Sequence, residues 1–245
     1  SASPISHSIS GGPDSGDFSI SGNLLSFVGS ANYEAASDLN KDGVYEVYVT
    51  TSSGTASSTQ TIYIRVTDVA EAPSISTAAI SNTPENSSAV ATISASDEDR
   101  NSVLTYSLVD SAGSKDEALL SIDSAIGTVT FVTAPNFESP SDLNADNTVD
   151  FTVMVSDGAL STQSDYTFSI TNVNEAPTIS TASIANKAEG ITALGTISAS
   201  DQDSDSTLSF SLVNSEGLKD EGLLSIDSSS GSITFAVAPD YELPS

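Results

Sequence analysis

Apolar and polar residues alternate over much of the chain. Val149, Phe151, Val153 and Val155 alternate with Asp150, Thr152, Met154 and Ser156. This is the period-two pattern of a strand with one face in a core. Tyr166, Phe168 and Ile170 repeat it, and earlier Ile62, Ile64 and Val66 face away from Thr61, Tyr63 and Arg65. Between 72 and 175 the pattern predicts seven short strands: Ser74–Ile80, Val90–Ser96, Leu104–Val109, Leu119–Ile122, Thr128–Val132, Val149–Ser156 and Tyr166–Val173. Two more are predicted at Val44–Thr50 and Thr61–Val66. Gly, Asp, Asn and Pro punctuate the gaps, and no helical period is present. The expectation is an all-β, Greek-key β-sandwich of the immunoglobulin-like kind.

The pattern also repeats on a larger scale. Asn136, Phe137, Glu138 and the Asp142–Asn147 loop echo Asn32, Tyr33, Glu34 and the Asp38–Gly43 loop. A third copy begins at Asp240, Tyr241, Glu242. Tyr33, Phe137 and Tyr241 are spaced 104 residues apart, which marks a tandem array. The register predicts a partial repeat at 1–71 lacking its N-terminal strands, a complete repeat at 72–175, and a partial repeat at 176–245 lacking its C-terminal strands. Each partial repeat is expected to expose an unpaired strand edge. The mid-repeat start without Met reads as a fragment. The joints are short: Thr67–Pro73 and Thr171–Pro177 run strand to strand with oxygen donors between.

Charge narrows the function. With 33 acids against 6 bases the net charge is −27, which argues against nucleic acid and anionic lipid as partners. Such a chain repels itself unless cations neutralise it; the alternative is a solvated acidic surface. There is no cysteine, so neither disulfides nor thiol chemistry is available.

The acids gather at the ends of predicted strands. Asp97, Asp99 and Asp157 fall at one pole of the complete repeat, and Glu85 and Glu138 at the other, with Glu175 in the joint. One repeat's lower pole meets the next repeat's upper pole, so carboxylates from three segments converge with joint carbonyls and Asn oxygens. Empty, such a cluster is strongly repulsive. It suits Ca²⁺, which takes six to eight hard oxygen ligands.

These motifs resemble cadherin repeats, and more closely the cadherin-like tandem repeats of large bacterial surface adhesins of the RTX type. In that family an early Glu, an acidic-x-Glu motif and a joint rich in Asp and Asn bind Ca²⁺ together with an Asp-x-Asp and a later Asp of the next repeat. The resemblance places the Glu roles on Glu85, Glu34 and Glu138, and less completely on Glu189 and Glu242. It places the joint roles on Asp68 and Glu71, and on Asn172, Asn174 and Glu175. The Asp-x-Asp falls on Asp97/Asp99 and Asp201/Asp203, and the later Asp on Asp157. The chain departs from the pattern at Asn32 and Asn136, where the family has an acid that only Asp240 keeps, at Ala70 in place of Asn, and at Asn172 in place of Asp. Fewer or weaker ions per joint are therefore expected. The resemblance implies an elongated array of cadherin-like sandwiches: a calcium-rigidified, extracellular or cell-surface spacer of a secreted adhesin. Its partners would be calcium ions, neighbouring repeats in the same chain, and a cell-surface protein or glycan met through domains outside this sequence.

Two loops add candidates. Asp38, Asn40, Asp42 and Gly43, and the sister set Asp142, Asn144, Asp146 and Asn147, match the first half of an EF-hand loop. The bidentate Glu is missing, because Val49 and Val153 stand at position 12. Each loop is either a local Ca²⁺ site or an Asx-rich turn bonded to its own backbone. Catalysis finds no support and the chain reads as no enzyme: His7 is the lone histidine and reads as a surface residue, and no base activates the serines. Lys115–Glu117 and Lys219–Glu221 read as solvated loops; Tyr33, Phe137 and Tyr241 read as core rather than a sugar platform. Two other functions stay open: repeats that adhere directly, to one another or to glycans, and an accessory region of a large secreted enzyme.

Overall fold

The computed structural model describes residues 3–110, 113–213 and 220–242. Lys219 of the second Lys-Asp-Glu set lies outside them. In chain order the strands are β1 (Ile5–Gly11), β2 (Phe18–Ser21), β3 (Leu24–Phe27), β4 (Val44–Ser53), β5 (Ala56–Arg65), β6 (Ser74–Ile75), β7 (Thr83–Pro84), β8 (Ala89–Thr92), β9 (Ala95–Ser96), β10 (Thr105–Leu108), β11 (Leu120–Ile122), β12 (Thr128–Phe131), β13 (Thr148–Ser156), β14 (Ser161–Thr171), β15 (Thr178–Ile179), β16 (Ala193–Thr196), β17 (Ala199–Ser200), β18 (Leu224–Ile226) and β19 (Ser232–Phe235). The described residues hold no α-helix, only short 3₁₀ turns such as Glu117–Leu119. The fold is all-β, as the alternation predicts.

The first predicted strand of the middle repeat shrinks to β6. Its chain then re-enters the ladder at β7, where Pro84 lacks the N–H that a central strand needs. The last predicted strand starts earlier, at Ser161, because its polar residues pair although they carry no apolar signal.

By compactness the chain forms two units, Ser1–Ile80 with Val90–Thr130 and Asp150–Thr167, and Ser81–Ala89 with Phe131–Val149 and Phe168–Ser245. The division passes through 72–175 rather than at its ends, because the long strands β13 and β14 contribute to both units.

In the first unit β1, β4 and β5 form an antiparallel sheet, with β4 and β5 in register from Val44↔Arg65 to Ser53↔Ala56. Phe18, Tyr45 and Val47 are buried, and Phe27, Ile62, Ile64 and Val66 pack against them. Phe27 meets Tyr45 edge-on at 5.1 Å. The outward Tyr63 stays exposed. Further on, β10 pairs with β13 (Tyr106↔Val155, Leu108↔Val153). Ile93, Val129, Phe151, Val153, Val155 and Tyr166 are buried there, and the Tyr166 hydroxyl donates to the Thr77 carbonyl (2.9 Å). Gly127 has φ +70°, and a Cβ there would meet the Ile93 carbonyl at 2.6 Å and the Tyr106 ring at 2.9 Å, so glycine is required.

The Lys115–Glu117 reading is corrected. Lys115 Nζ donates to Thr152 (2.7 Å) and pairs with Asp165 (2.6 Å). Asp116 is buried, and its carboxylate accepts the Asp150 N–H (2.9 Å). The turn is an anchor for β13. Its counterpart Asp14, also buried, accepts the N–H groups of Leu39 and Glu46 (both 2.7 Å). His7 is half-buried on β1 and bonds Thr51 (2.9 Å). The recurring aromatics are corrected too: Tyr33 is 40% and Tyr241 85% exposed, and Phe137 is half-buried.

In the second unit the end of β14 pairs parallel with β7 (Ile170↔Thr83), and Phe131 meets Phe168 at 5.9 Å. β16, β19 and β18 form one sheet, and β15 pairs with β17. Residues 208–212 carry the same alternation as 104–108, yet among the described residues they pair with no strand. Phe210 still donates its N–H to Ser228 (2.9 Å), as Tyr106 does to Ser124 (3.0 Å). A cavity of about 380 Å³ beside this segment is lined by Ile197, Leu208, Phe210, Leu212 and Ile233.

Candidate metal centres

In the first unit the carboxylates form two triads that share one residue. Oxygens of Glu34, Asp68 and Asp99 lie within 4.8 Å of one another, as do those of Asp97, Asp99 and Asp157. Backbone donors fix part of the set. Asp99 accepts the Glu71 N–H on Oδ2 (3.2 Å), and Asp97 accepts the Asp99 N–H on Oδ1 (2.8 Å). Asp157 Oδ1 accepts the N–H groups of Ala159 and Leu160 (both 2.6 Å), and these bonds hold its carboxyl below the usual aspartate range. The remaining oxygens are the informative ones. Glu34 Oε1, Glu71 Oε2, Asp97 Oδ2 and Asp99 Oδ1 are buried with no hydrogen-bond partner. Burial, and then the charges of Asp68 and Asp99, push the Glu34 carboxyl up. Burial, and then Glu34 and Asp99, do the same to Glu71.

The second unit holds a triad of Glu85, Glu138 and Glu175 within 4.8 Å. Glu85 is only 2% exposed, and both its oxygens are used: Oε2 accepts the Phe137 N–H and Oε1 the Val173 N–H (both 2.8 Å). It straps the aromatic–Glu loop to the joint. Both Glu138 oxygens and Glu175 Oε2 are buried without a partner. Glu175 takes Asn86 Nδ2 on Oε1 (2.6 Å) and gives its N–H to the buried Asp203 (2.9 Å). Burial raises the Glu175 carboxyl despite the Asn86 bond, helped by the charges of Glu85, Asp203 and Glu138. Asp201 lies outside the triad and accepts the Asp203 N–H (3.0 Å). Asn172 and Asn174 are exposed, and Asn174 Nδ2 donates to the Glu175 carbonyl (3.0 Å). A further exposed triad, Glu189, Asp240 and Glu242, repeats the strap, with Glu189 Oε2 accepting the Tyr241 N–H (2.8 Å).

The two Asx loops turn their oxygens on themselves. Asp38 accepts the N–H groups of Asp42 (2.8 Å) and Gly43 (3.2 Å), and Asp42 accepts Val44 N–H (2.8 Å) and Asn40 Nδ2 (3.0 Å). Asp142 accepts Asp146 and Asn147 N–H (2.9 and 3.1 Å), and Asp146 accepts Thr148 N–H and Asn144 Nδ2 (both 2.8 Å). Asn147 takes the left-handed φ of 61° that Gly43 takes at 74°. None of these acids belongs to a triad.

Sequence reasoning missed Asn86, which orients Glu175, and Arg100, whose guanidinium donates to the Glu34 carbonyl (3.1 Å). The signal for Asn86 was its place beside Glu85.

The donor set fits a hard divalent cation. It offers carboxylate oxygens only, in threes, with buried lone pairs that no protein donor satisfies.

No protein-family model matches the chain, and no curated protein matches it. Solved structures do. The chain is similar to human CDH23 EC21-23 (18% identity, TM-score 0.58, 94% of this chain and 82% of that one). It is also similar to mouse protocadherin-24 EC1-3 (19% identity, TM-score 0.56, 97% and 78%). It spans 40% of the protocadherin gamma-B4 extracellular structure and 60% and 61% of two other protocadherin structures. At these identities the likeness establishes a cadherin-like fold.

Proposed function

We propose that the chain is a calcium-binding, non-catalytic spacer of a secreted or cell-surface adhesin, built from tandem sandwiches at 1–71, 72–175 and 176–245. The observation that carries this reading is the set of buried, partnerless carboxylate oxygens on Glu34, Glu71, Asp97 and Asp99, and again on Glu138 and Glu175. Left unneutralised, each set opposes the compact state. Glu34, Glu71, Asp68, Asp97, Asp99 and Asp157 would hold cation in the first joint, and Glu85, Glu138, Glu175 and Asp203 in the second. Bound Ca²⁺ supplies positive charge that ties segments from both sides of a joint. The protein residues supply the frame: Glu85 takes the Phe137 and Val173 N–H groups on its two oxygens, and Asp99 takes the Glu71 N–H on one oxygen and keeps the other without a partner. Asp38, Asp42, Asp142 and Asp146 fall outside this set, because their oxygens are spent on loop N–H groups. The cadherin-like fold and the resemblance to bacterial surface adhesins support the extracellular setting.

Calcium titration calorimetry of the 245-residue chain, with scattering in millimolar Ca²⁺ and in chelator, tests the reading. Binding with a dissociation constant around 10⁻⁴–10⁻³ M or tighter is expected, with a chain that loosens in chelator. No binding heat and identical scattering profiles would overturn it.

A further inference from the structure

In both joints the loop carrying the aromatic–Glu pair is tied directly to the loop carrying Asp-x-Asp. Asn32 Nδ2 donates to Glu98 Oε2 (3.4 Å), and Asn136 Nδ2 donates to Gln202 Oε1 (2.9 Å). The two pairs are equivalent by the 104-residue period. The other end of each amide is occupied as well. Asn32 Oδ1 accepts the Ala35 N–H (2.6 Å), and Asn136 Oδ1 accepts the Ser139 N–H (2.7 Å). A backbone N–H can only donate, so it fixes which end of each amide is oxygen. The nitrogen is thereby aimed at the next loop. Glu98 and Gln202 occupy the middle of Asp97-x-Asp99 and Asp201-x-Asp203, so the bond holds the ligand-bearing loop itself. An aspartate in place of Asn32 or Asn136 could keep the backbone bond but could not donate across the joint. In the first joint Arg100 adds a second tie to the Glu34 carbonyl; its counterpart in the second joint is Ser204.

We propose that Asn32 and Asn136 are positioning residues that clasp each joint without a cation. They hold Glu34, two residues on, beside Asp99 and Glu138 beside Glu175, and so set the joint's cation affinity in advance. The affinity part rests on the calcium reading above; the clasp itself does not. An exposed hydrogen bond of this kind shifts an equilibrium about two- to tenfold. The second joint depends on its clasp more, because it lacks the arginine.

The test uses the 245-residue chain with N136A, Q202A, the double variant, and the exchanged pair N136Q/Q202N. Amide hydrogen exchange in chelator is read at Val173 and Glu175, whose N–H groups bond Glu85 and Asp203 across this region. Core amides at 149–155 serve as the folding control. N136A and Q202A should each speed exchange at Val173 and Glu175 about two- to tenfold, leave the core unchanged and weaken Ca²⁺ by a similar factor. The double variant should be no worse than either single one, and the exchanged pair should recover part of the loss. Parent-like exchange in N136A and Q202A would overturn the clasp, and faster exchange with unchanged Ca²⁺ affinity would overturn its role in affinity. If the parent binds no Ca²⁺ but N136A still speeds exchange, the calcium reading fails and the clasp stands.

Discussion

The two joints tie the Asp-x-Asp loop in the same way: Asp99 and Asp203 hold the Glu71 and Glu175 N–H groups, and Asp97 and Asp201 hold those of Asp99 and Asp203. They differ in the further acid that is fixed. In the first it is Asp157, which holds the N–H groups of Ala159 and Leu160. In the second, the most firmly fixed acid is Glu85, buried and holding the N–H groups of Phe137 and Val173. Buried oxygens without a partner sit on Glu34, Glu71, Asp97 and Asp99 in one joint and on Glu138 and Glu175 in the other. The contrast separates two jobs. Carboxylates spent on backbone donors build the joint whether or not a cation is present. Buried, unused oxygens, including the second oxygens of Asp97 and Asp99, oppose it as long as no cation neutralises them.

The largest expected effect breaks a strap. Glu85→Ala leaves the Phe137 and Val173 N–H groups without acceptors. The penalty is about 1–3 kcal/mol for a fully buried unsatisfied group and less here, because Phe137 is half-buried and Val173 exposed, yet it should lower thermal stability measurably in chelator as well as in Ca²⁺. A melting temperature in chelator equal to the parent's would count against the structural role. Glu138→Gln should behave oppositely in the same assay. It removes a buried charge that no protein donor satisfies, so stability in chelator should hold or rise. Ca²⁺ affinity should fall about tenfold or more, the scale on which changes around a metal site act. Glu34→Gln should do the same in the first joint. If these two variants destabilise the chelated protein as Glu85→Ala does, the division of labour is wrong.

The next effect compares the joints directly. The first joint gathers six carboxylates and places Asp68 where the second has Asn172. In chelator at low ionic strength, exchange at the Glu71 N–H should therefore exceed that at the Glu175 N–H. Added salt should narrow the gap, since screening at about 0.15 M acts over roughly 8 Å. A gap that persists at high salt would point to packing rather than repulsion.

Much of this was legible in the sequence, for identifiable reasons. A strand with one buried face writes its period into its residues, so Val149–Ser156 and the repeat spacing could be read directly. β7 could not, because two residues ending in Pro84 carry no period. The acids were legible as a set, and their grouping into poles followed from strand ends. Which oxygens stay free was not, because that depends on backbone donors such as Leu160 and Val173, which have no sequence signature. The Asx loops show the converse: Asp38-x-Asn40-x-Asp42 has the spacing of a calcium loop, and the folded backbone takes those oxygens first. Asn32 and Asn136 read as missing ligands, and their amide nitrogens became visible as donors only when Glu98 and Gln202 were placed opposite them.

The smallest expected effect is on the pH response in chelator, where the joints should differ in shape. Glu34 and Glu71 titrate above the ordinary glutamate value, by burial first and by neighbouring acids second. The folded state then keeps protons that the unfolded chain has already released. Stability falls as pH rises through these raised values. Asp157 titrates below the ordinary aspartate value because Leu160 and Ala159 donate to it. Its contribution is present above the unfolded value and is lost as pH falls through the depressed one. The first joint should therefore be most stable between the two ranges and loosen on either side. The second carries the Glu175 rise. Exchange at the Glu175 N–H should accordingly quicken as pH rises through the raised range, after correction for the intrinsic rate. Exchange at the Glu71 N–H should pass through a minimum. Matching profiles at the two amides would mean that Asp157 does not contribute to holding the first joint together.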